Sequence, residues 1–291
     1  MIRRRFAGLM ALFCVAGGPL VAQGSACPEA SAFEVVPAVP QAGTLFTVRL
    51  PGPATGVTTA RVAGEPLHFA PDSAGAIAFA AVPIDSANGV SMAVLCVDGT
   101  RRDVRIRTRD GDYPLERLTV APRFGTPPDS ALRERQRREA ARAAAVSRAS
   151  HQTPRLFTEP FLPPRASRIT SGFGGGRTFN GAVTSRHMGT DYQGAVGAPV
   201  RAANRGVVRI VDAFYLGGNV VYLDHGAGLV TAYLHLSKQR VAVGDTVQRG
   251  DVIGEVGATG RVTGPHLHLI VRYGNITVDP ESVLDRPSGA R

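Results

Sequence analysis

Gly264-Pro265-His266-Leu267-His268-Leu269-Ile270-Val271-Arg272 reads as a β-strand with histidines on one face and leucines on the other. Residues i and i+2 of a strand share a side. His266 and His268 therefore point into one cavity, and Leu267 and Leu269 point the opposite way. Around this strand, from Arg165 onward, short apolar runs alternate with Gly-rich turns. Gly206 to Val211, Asn219 to Leu223, Leu229 to Leu236, Thr246-Val247 and Val252-Ile253 all carry that pattern. The C-terminal half is expected to be nearly all β.

Five of the chain's seven histidines lie between 187 and 268. His187-Met188-Gly189-Thr190-Asp191 places an imidazole and a carboxylate four residues apart. A straight strand would separate them by ~13 Å, too far for one metal ion, so the chain must bend, and Gly189 permits the bend. On Leu229 to Leu236 the alternation predicts Thr231, Tyr233 and His235 on one face, with Ala232, Leu234 and Leu236 on the other. Imidazole and carboxylate in such a set are ligands for a first-row metal, above all zinc. The spacing does not say which groups bind. His187, Asp191, His266 and His268 together would close a structural site, whereas three ligands would leave a position open for chemistry. His225 reads as structural or as a partner behind a ligand. Asn180 reads as turn-forming or cleft-lining, and Tyr192 and Tyr215 as core or cleft wall.

The front half has a different texture. Leu45 to Leu50, Ala76 to Ala80, Ala93 to Val97 and Asp103 to Arg107 are strand patterns, the last two separated by Asp98-Gly99, a hairpin signal. A β-sandwich is expected over 27–121, with no reactive constellation; His68 stands alone. Residues 122–165 are expected to form a basic helical and Pro-rich linker. Its one clear helix runs over Ser130 to Ala149, capped by Asp129 or Ser130, and reads as solvated because it lacks an apolar stripe. Pro154, Pro160 and Pro163-Pro164 then stiffen the chain.

Residues 1–26 read as a secretory leader. Arg3-Arg4-Arg5 is its charged start, Phe6 to Ala16 its apolar run, and Gly24-Ser25-Ala26 its small-residue exit. The apolar run is too short to span a bilayer, and no later run is long enough, so no transmembrane segment is expected after leader removal. Cys14 would leave with the leader, and Cys27 with Cys96 would form one disulfide in an oxidising compartment. Lipidation of Cys27 is the rival, weakened by Gly24 three residues before it. Removing the three leader arginines from a formal charge of +10 leaves +7, which suits an anionic partner such as wall polymer, lipid headgroups or nucleic acid.

Arg186-His187-Met188-Gly189-Thr190-Asp191, Tyr233-Leu234-His235-Leu236-Ser237 and Gly264-Pro265-His266-Leu267-His268 resemble the signature of the M23 family of lysostaphin/LytM-type zinc metallopeptidases. Gly197-Ala198-Pro199-Val200, Leu223-Asp224-His225-Gly226, Val243 to Val247 and Gly257-Ala258-Thr259-Gly260 extend the likeness. The resemblance implies an all-β protein whose zinc peptidase domain spans 166–286. By motif position it implies His187, Asp191 and His268 as zinc ligands and His235 and His266 as the catalytic pair. It implies an exported endopeptidase, periplasmic or extracellular, whose partner is peptidoglycan and not nucleic acid. A cell-envelope binding or regulatory protein with little hydrolysis, and a zinc peptidase of secreted proteins, are the alternatives. Thr190 and Leu269 depart from common family residues without removing a metal or catalytic group.

Overall fold

The computed structural model describes residues 26–125, 127–181 and 183–284. The leader expected over 1–26 lies, Ala26 apart, outside the described residues, as do positions 285 and 286. Among the described residues no helix is long and apolar enough to cross a membrane.

The front unit packs two antiparallel four-stranded sheets. One orders Glu34–Val36, Leu45–Leu50, Gly75–Ala81 and Ala70–Asp72; the other orders Glu65–Pro66, Val57–Val62, Val90–Cys96 and Arg101–Ile106. Strand alternation builds the core between them: Val90, Met92, Val94 and Cys96 point inward against Phe46, Val48, Ala60 and Val62. At the hairpin, Asp98 Oδ1 accepts from the Thr100 N–H at 2.8 Å and Gly99 takes φ +83°. Cys27 and Cys96 are disulfide-bonded, with 5.5 Å between Cα atoms.

The C-terminal half is organised on one large antiparallel sheet. Its order is Ile169–Ser171, Thr190–Gln193, His266–Tyr273, Leu229–Leu236, Gly218–Gly226, Gly206–Phe214 and Thr246–Val247, with Ile276–Val278 also paired to His266–Tyr273. One face packs on a small sheet of Pro199–Arg201, Val252–Glu255 and Lys238–Gln239. Tyr192, Val208, Leu223, Tyr233, Ile253, Leu267 and Leu269 fill that layer. Every residue of Leu229–Leu236 is buried, because both faces of this central strand are covered. The expectation of one polar and one apolar side gives way to a strand enclosed on both.

The cover on the second face is the helix Ser130–Ala149, so it is not the solvated connector its composition suggested. Ala143 and Val146 pack on Ile210, Val220, Tyr222, Val230 and Ala232. Asp129 caps it, accepting from Leu132 N–H at 2.8 Å. Glu139 accepts from the Tyr215 N–H at 2.9 Å, and Arg142 pairs with Asp212. Its contact stripe is short, Ala143 and Ser147 with Val146 beside them, and so adds little to the hydrophobicity of the helix. The Pro-rich stretch after it is likewise integral. Phe157 and Phe161 sit in the main core, and the N–H of Leu156 donates to the His225 carbonyl at 2.9 Å. Leu115–Leu118, near the end of the front unit, pairs in parallel with Gly176–Phe179 of the C-terminal half.

His225 is wholly buried, its ring nitrogens on the Arg205 carbonyl (2.7 Å) and Thr231 Oγ1 (2.8 Å), with Phe161 edge-on at 5.0 Å. Burial, partly offset by the Arg205 carbonyl, pushes its pKa down from 6.5 to about 4.

Two expectations follow from this packing. A neutral buried histidine contributes stability that is complete above its unfolded pKa and is lost as pH falls toward its folded one. Between pH 7 and pH 5 the His225→Gln chain should therefore lose about 2 kcal/mol less unfolding free energy than the parent; equal slopes in denaturant titrations would refute the assignment. Ala143→Asp, which drives a charge between helix and sheet, should cost about 3 kcal/mol, while Ala145→Asp on the exposed side should be near neutral. Equal melting of the two variants would mean the helix is not seated on the sheet.

Candidate active site

Thr190–Gln193 and His266–Tyr273 run antiparallel with Asp191 directly opposite His268. The carboxylate and the imidazole thus face each other across one rung of the ladder. His187 reaches the same point from the turn before the first strand. That turn passes so close to its neighbour that a Cβ on Gly189 would lie 2.3 Å from the Leu269 carbonyl oxygen and 2.6 Å from His268 Nε2. Glycine is what allows the approach.

Three donor atoms converge there. His187 Nε2 lies 3.0 Å from Asp191 Oδ1 and 3.0 Å from His268 Nδ1, and His268 Nδ1 lies 2.6 Å from Asp191 Oδ1. All three residues are buried. The outer nitrogen of His187 donates to the Gly172 carbonyl at 2.6 Å, so the inner Nε2 presents a lone pair. Two imidazole lone pairs and a carboxylate oxygen aimed at one point fit a divalent cation of the zinc type. Burial raises the Asp191 carboxyl, but the hydrogen bonds and charges of His187 and His268 outweigh it and hold the carboxyl far below its usual range. Burial also takes His268 down to about 4, against the opposing pull of Asp191. Both groups are thus in the protonation state that binds metal.

His266 faces the same cavity without joining the cluster. Its Nε2 is 3.6 Å from Asp191 Oδ1, and its Nδ1–H donates to the Gly264 carbonyl at 2.9 Å. His235 completes the group, with ring centroids 4.9 Å from His266 and 5.8 Å from His268. It arrives by a route the strand period did not predict. Thr231 and Tyr233 point into the core, where Thr231 meets His225, and regular alternation would send His235 after them. Instead His235 adopts φ +64°, and Leu236 takes the core position. The expected shared face of Thr231, Tyr233 and His235 is therefore corrected: a left-handed residue turns the imidazole into the cleft. Such a conformation costs on the order of 1–3 kcal/mol and gathers at functional sites. The N–H of His235 donates to the Gly217 carbonyl at 2.8 Å, and Nδ1–H to the Thr259 carbonyl at 2.8 Å. Nε2 is left as an acceptor in the cleft. Burial first, then the charges of His268 and His266, keep this ring neutral well below its ordinary range.

Arg177 and Glu116 belong to no motif in the sequence, yet both support the cluster. Arg177 Nη2 donates to the second oxygen of Asp191 at 2.9 Å and to Ser171 Oγ at 2.7 Å, while its Nε donates to Glu116 Oε2 at 2.8 Å. Ser171 Oγ donates to Glu116 Oε1 at 2.8 Å. No spacing signal links Glu116 to a motif some seventy residues downstream; only the parallel pairing of its strand brings it there. Asn180 has φ +49° and its amide clasps the Val120 backbone N–H and carbonyl, each at 3.0 Å, so it makes a turn and a tether. Tyr192 is core, its hydroxyl on Glu281, and Tyr215 packs on Phe124; neither lines the cleft. The cleft itself has a volume of about 490 Å³.

Residues 185–280 match Peptidase family M23. This chain carries an M23 peptidase domain. It is 39% identical over 136 residues to the peptidoglycan DD-endopeptidase ShyC of Vibrio cholerae, covering 45% of this chain and 31% of that protein. It is 45% identical over 97 residues to the DD-carboxypeptidase/endopeptidase Mpg of Neisseria meningitidis, covering 33% of this chain and 22% of that protein. The chain thus spans about a third or less of the length of these curated relatives. A crystal structure assigned to peptidase M23 from Pseudomonas aeruginosa superposes with a TM-score of 0.65 at 26% identity, over 85% of this chain and 95% of that one. That likeness reaches well beyond the M23 segment into the front unit.

Arg177 holds the Asp191 oxygen that faces away from the cluster, so its loss should loosen that carboxylate. Arg177→Met is expected to weaken divalent-metal affinity about 10- to 100-fold, measured by competition with a chromogenic chelator. Parental affinity in that variant would show that Asp191 needs no outer partner.

Proposed function

We propose that this protein is an exported zinc metalloendopeptidase that hydrolyses the peptide crosslinks of peptidoglycan. The observation that carries the reading is the division of labour among five side chains. His187, Asp191 and His268 converge lone pairs on one point, while His235 and His266 each tie Nδ1–H to a carbonyl and present Nε2 beside it. Zinc held by the three ligands would supply a Lewis acid for the scissile carbonyl and for the attacking water. His235, neutral and acceptor-ready, is placed to orient that water and take its proton. His266, more exposed to the cleft, is placed to donate to the oxyanion as the carbonyl becomes tetrahedral. Arg177 and Glu116 hold Asp191 as a charged ligand throughout.

The substrate class rests on relatives such as ShyC, a peptidoglycan DD-endopeptidase by name, and on a basic chain suited to an anionic polymer. Export rests on the leader-like start and on the Cys27–Cys96 disulfide, a bond that persists in oxidising compartments. On this reading 27–121 holds the sandwich and ends in the strand that brings Glu116 to the site, 122–165 packs on the peptidase sheet, and 166–286 carries the metal-type ligands and the catalytic pair.

The ligands and the catalytic pair separate experimentally. His187→Ala, Asp191→Ala and His268→Ala should each lose zinc, since a two-ligand site binds far more weakly. His235→Ala and His266→Ala should keep close to one zinc per chain and lose roughly 10²- to 10⁴-fold in wall hydrolysis. Elemental analysis beside muropeptide release from purified wall, with casein as the competing substrate, provides the test. If His266→Ala empties the site as His268→Ala does, the zinc is structural and the protein is a binding module; if casein is cut and wall is not, the substrate is secreted protein.

A further inference from the structure

Three guanidinium groups line the cleft, and two are accounted for. Arg177 is bound to Glu116 and Asp191, and Arg186 pairs with Asp85 of the front unit at 3.2 Å. Arg261 has no carboxylate partner among the described residues. Its Cζ lies over the Phe179 ring, 4.0 Å from the centroid, and among the described residues its one side-chain hydrogen bond is a long one, 3.4 Å from Nη2 to Ser185 Oγ. A guanidinium offers five N–H donors in a rigid fork. Most of this fork is therefore left free of protein partners on the wall of the cleft. Burial, and then the neighbouring Arg177 charge, disfavour the charged form.

The fork is also held in place relative to the candidate catalytic groups. The backbone N–H of Arg261 donates to the Leu216 carbonyl at 2.9 Å. Two residues earlier the Thr259 carbonyl accepts from His235 Nδ1–H, and five residues later the same segment enters the strand at His266. Between them Gly260, at φ +77°, approaches Leu216 and Gly218 so closely that any Cβ would collide with their backbone. One rigid loop thus positions His235, Arg261 and His266 together. Arg261, held over Phe179 on the cleft wall, offers its donor fork to whatever occupies the cleft.

We propose that Arg261 is the receptor for a free carboxylate of the peptide substrate, and that it selects peptides carrying one. This deepens the peptidase reading and rests on it for the substrate class. The carboxylate could be the C-terminus of a peptide strand or a carboxylate along it, and the chemistry at Arg261 is the same for both.

The test is binding, read apart from turnover. Zinc-loaded mature protein and its Arg261→Gln and Arg261→Lys variants would be titrated calorimetrically with an uncrosslinked peptidoglycan stem peptide. The same peptide with its C-terminal carboxylate amidated, and with its internal carboxylates amidated, would be titrated beside it. The parent is expected to bind the free acid about 10- to 100-fold more tightly than one of the two amides, and which one identifies the source. Arg261→Gln should bind all three peptides alike, and Arg261→Lys should recover part of the preference, since it keeps the charge and loses the fork. Metal content should be unchanged in both. The proposal is overturned if the parent does not distinguish acid from amides, or if Arg261→Gln weakens all three peptides equally. Hydrolysis of wall by the same parent protein is scored separately. An Arg261-dependent preference without cleavage refutes the peptidase reading alone, and cleavage without the preference refutes the carboxylate receptor alone.

Discussion

The pairing of Asp191 with His268 across two antiparallel strands is the constraint around which the rest of this half is built. A ladder fixes residues on facing strands to within a fraction of an ångström, and a one-residue slip would turn every side chain to the other face. At this rung both strands must stay in register, because on their other side Tyr192, Leu267 and Leu269 fill the core. Burial of the leucines and convergence of the metal-type ligands are therefore the same register expressed on two faces. The outer oxygen of Asp191 then requires a partner, since a buried carboxylate with a free oxygen is costly, and Arg177 meets that need while Glu116 balances its charge.

Around this rigid rung the backbone is made to depart from its regular forms in two places. Gly189 lets the turn carrying His187 lie against the Leu269 carbonyl, and His235 turns left-handed at the end of an otherwise regular strand. Both are held by their surroundings: His187 by the Gly175 and Gly172 carbonyls, His235 by the Gly217 and Thr259 carbonyls. A strained residue persists only where its neighbours over-determine it. Here the buried strand Leu229–Leu236, enclosed by sheet on one side and by helix and cleft on the other, supplies that rigidity.

The segments outside the M23 match are part of this arrangement. The helix Ser130–Ala149 closes the second face of the sheet beside the cleft, and Leu115–Leu118 extends the cleft wall and delivers Glu116. The front unit is tied on through partly buried polar contacts: Glu65 accepts from the Asn275 N–H at 3.0 Å and bonds His151 at 2.9 Å, and Ser282 Oγ accepts from the Leu45 N–H at 2.9 Å. The front unit and the M23 domain therefore share an interface of specific hydrogen bonds as well as a covalent connection.

Local patterns in the chain were enough to determine a good deal. The period of His266 to Arg272 placed two imidazoles on one side and two leucines on the other. Asp98-Gly99 marked a hairpin, Asp129 a helix start, and Gly189 a bend, and each reflects a rule acting over a few residues. Tertiary structure decided what those rules do not reach. The side of the strand that His235 occupies depends on one left-handed residue whose sequence context looks like ordinary strand. The burial of the Ser130–Ala149 helix rests on Ala143 and Ser147 with Val146 beside them, a short stripe that carries little hydrophobic signal yet seats the helix on the cluster of Ile210 and Tyr222. Glu116, Arg177 and Arg261 lie on separate elements, and no spacing joins them. A sequence records the period of each segment, whereas the partner opposite that segment is chosen only when strands and helix pack, because burial and hydrogen bonding act between faces that the chain order does not place side by side.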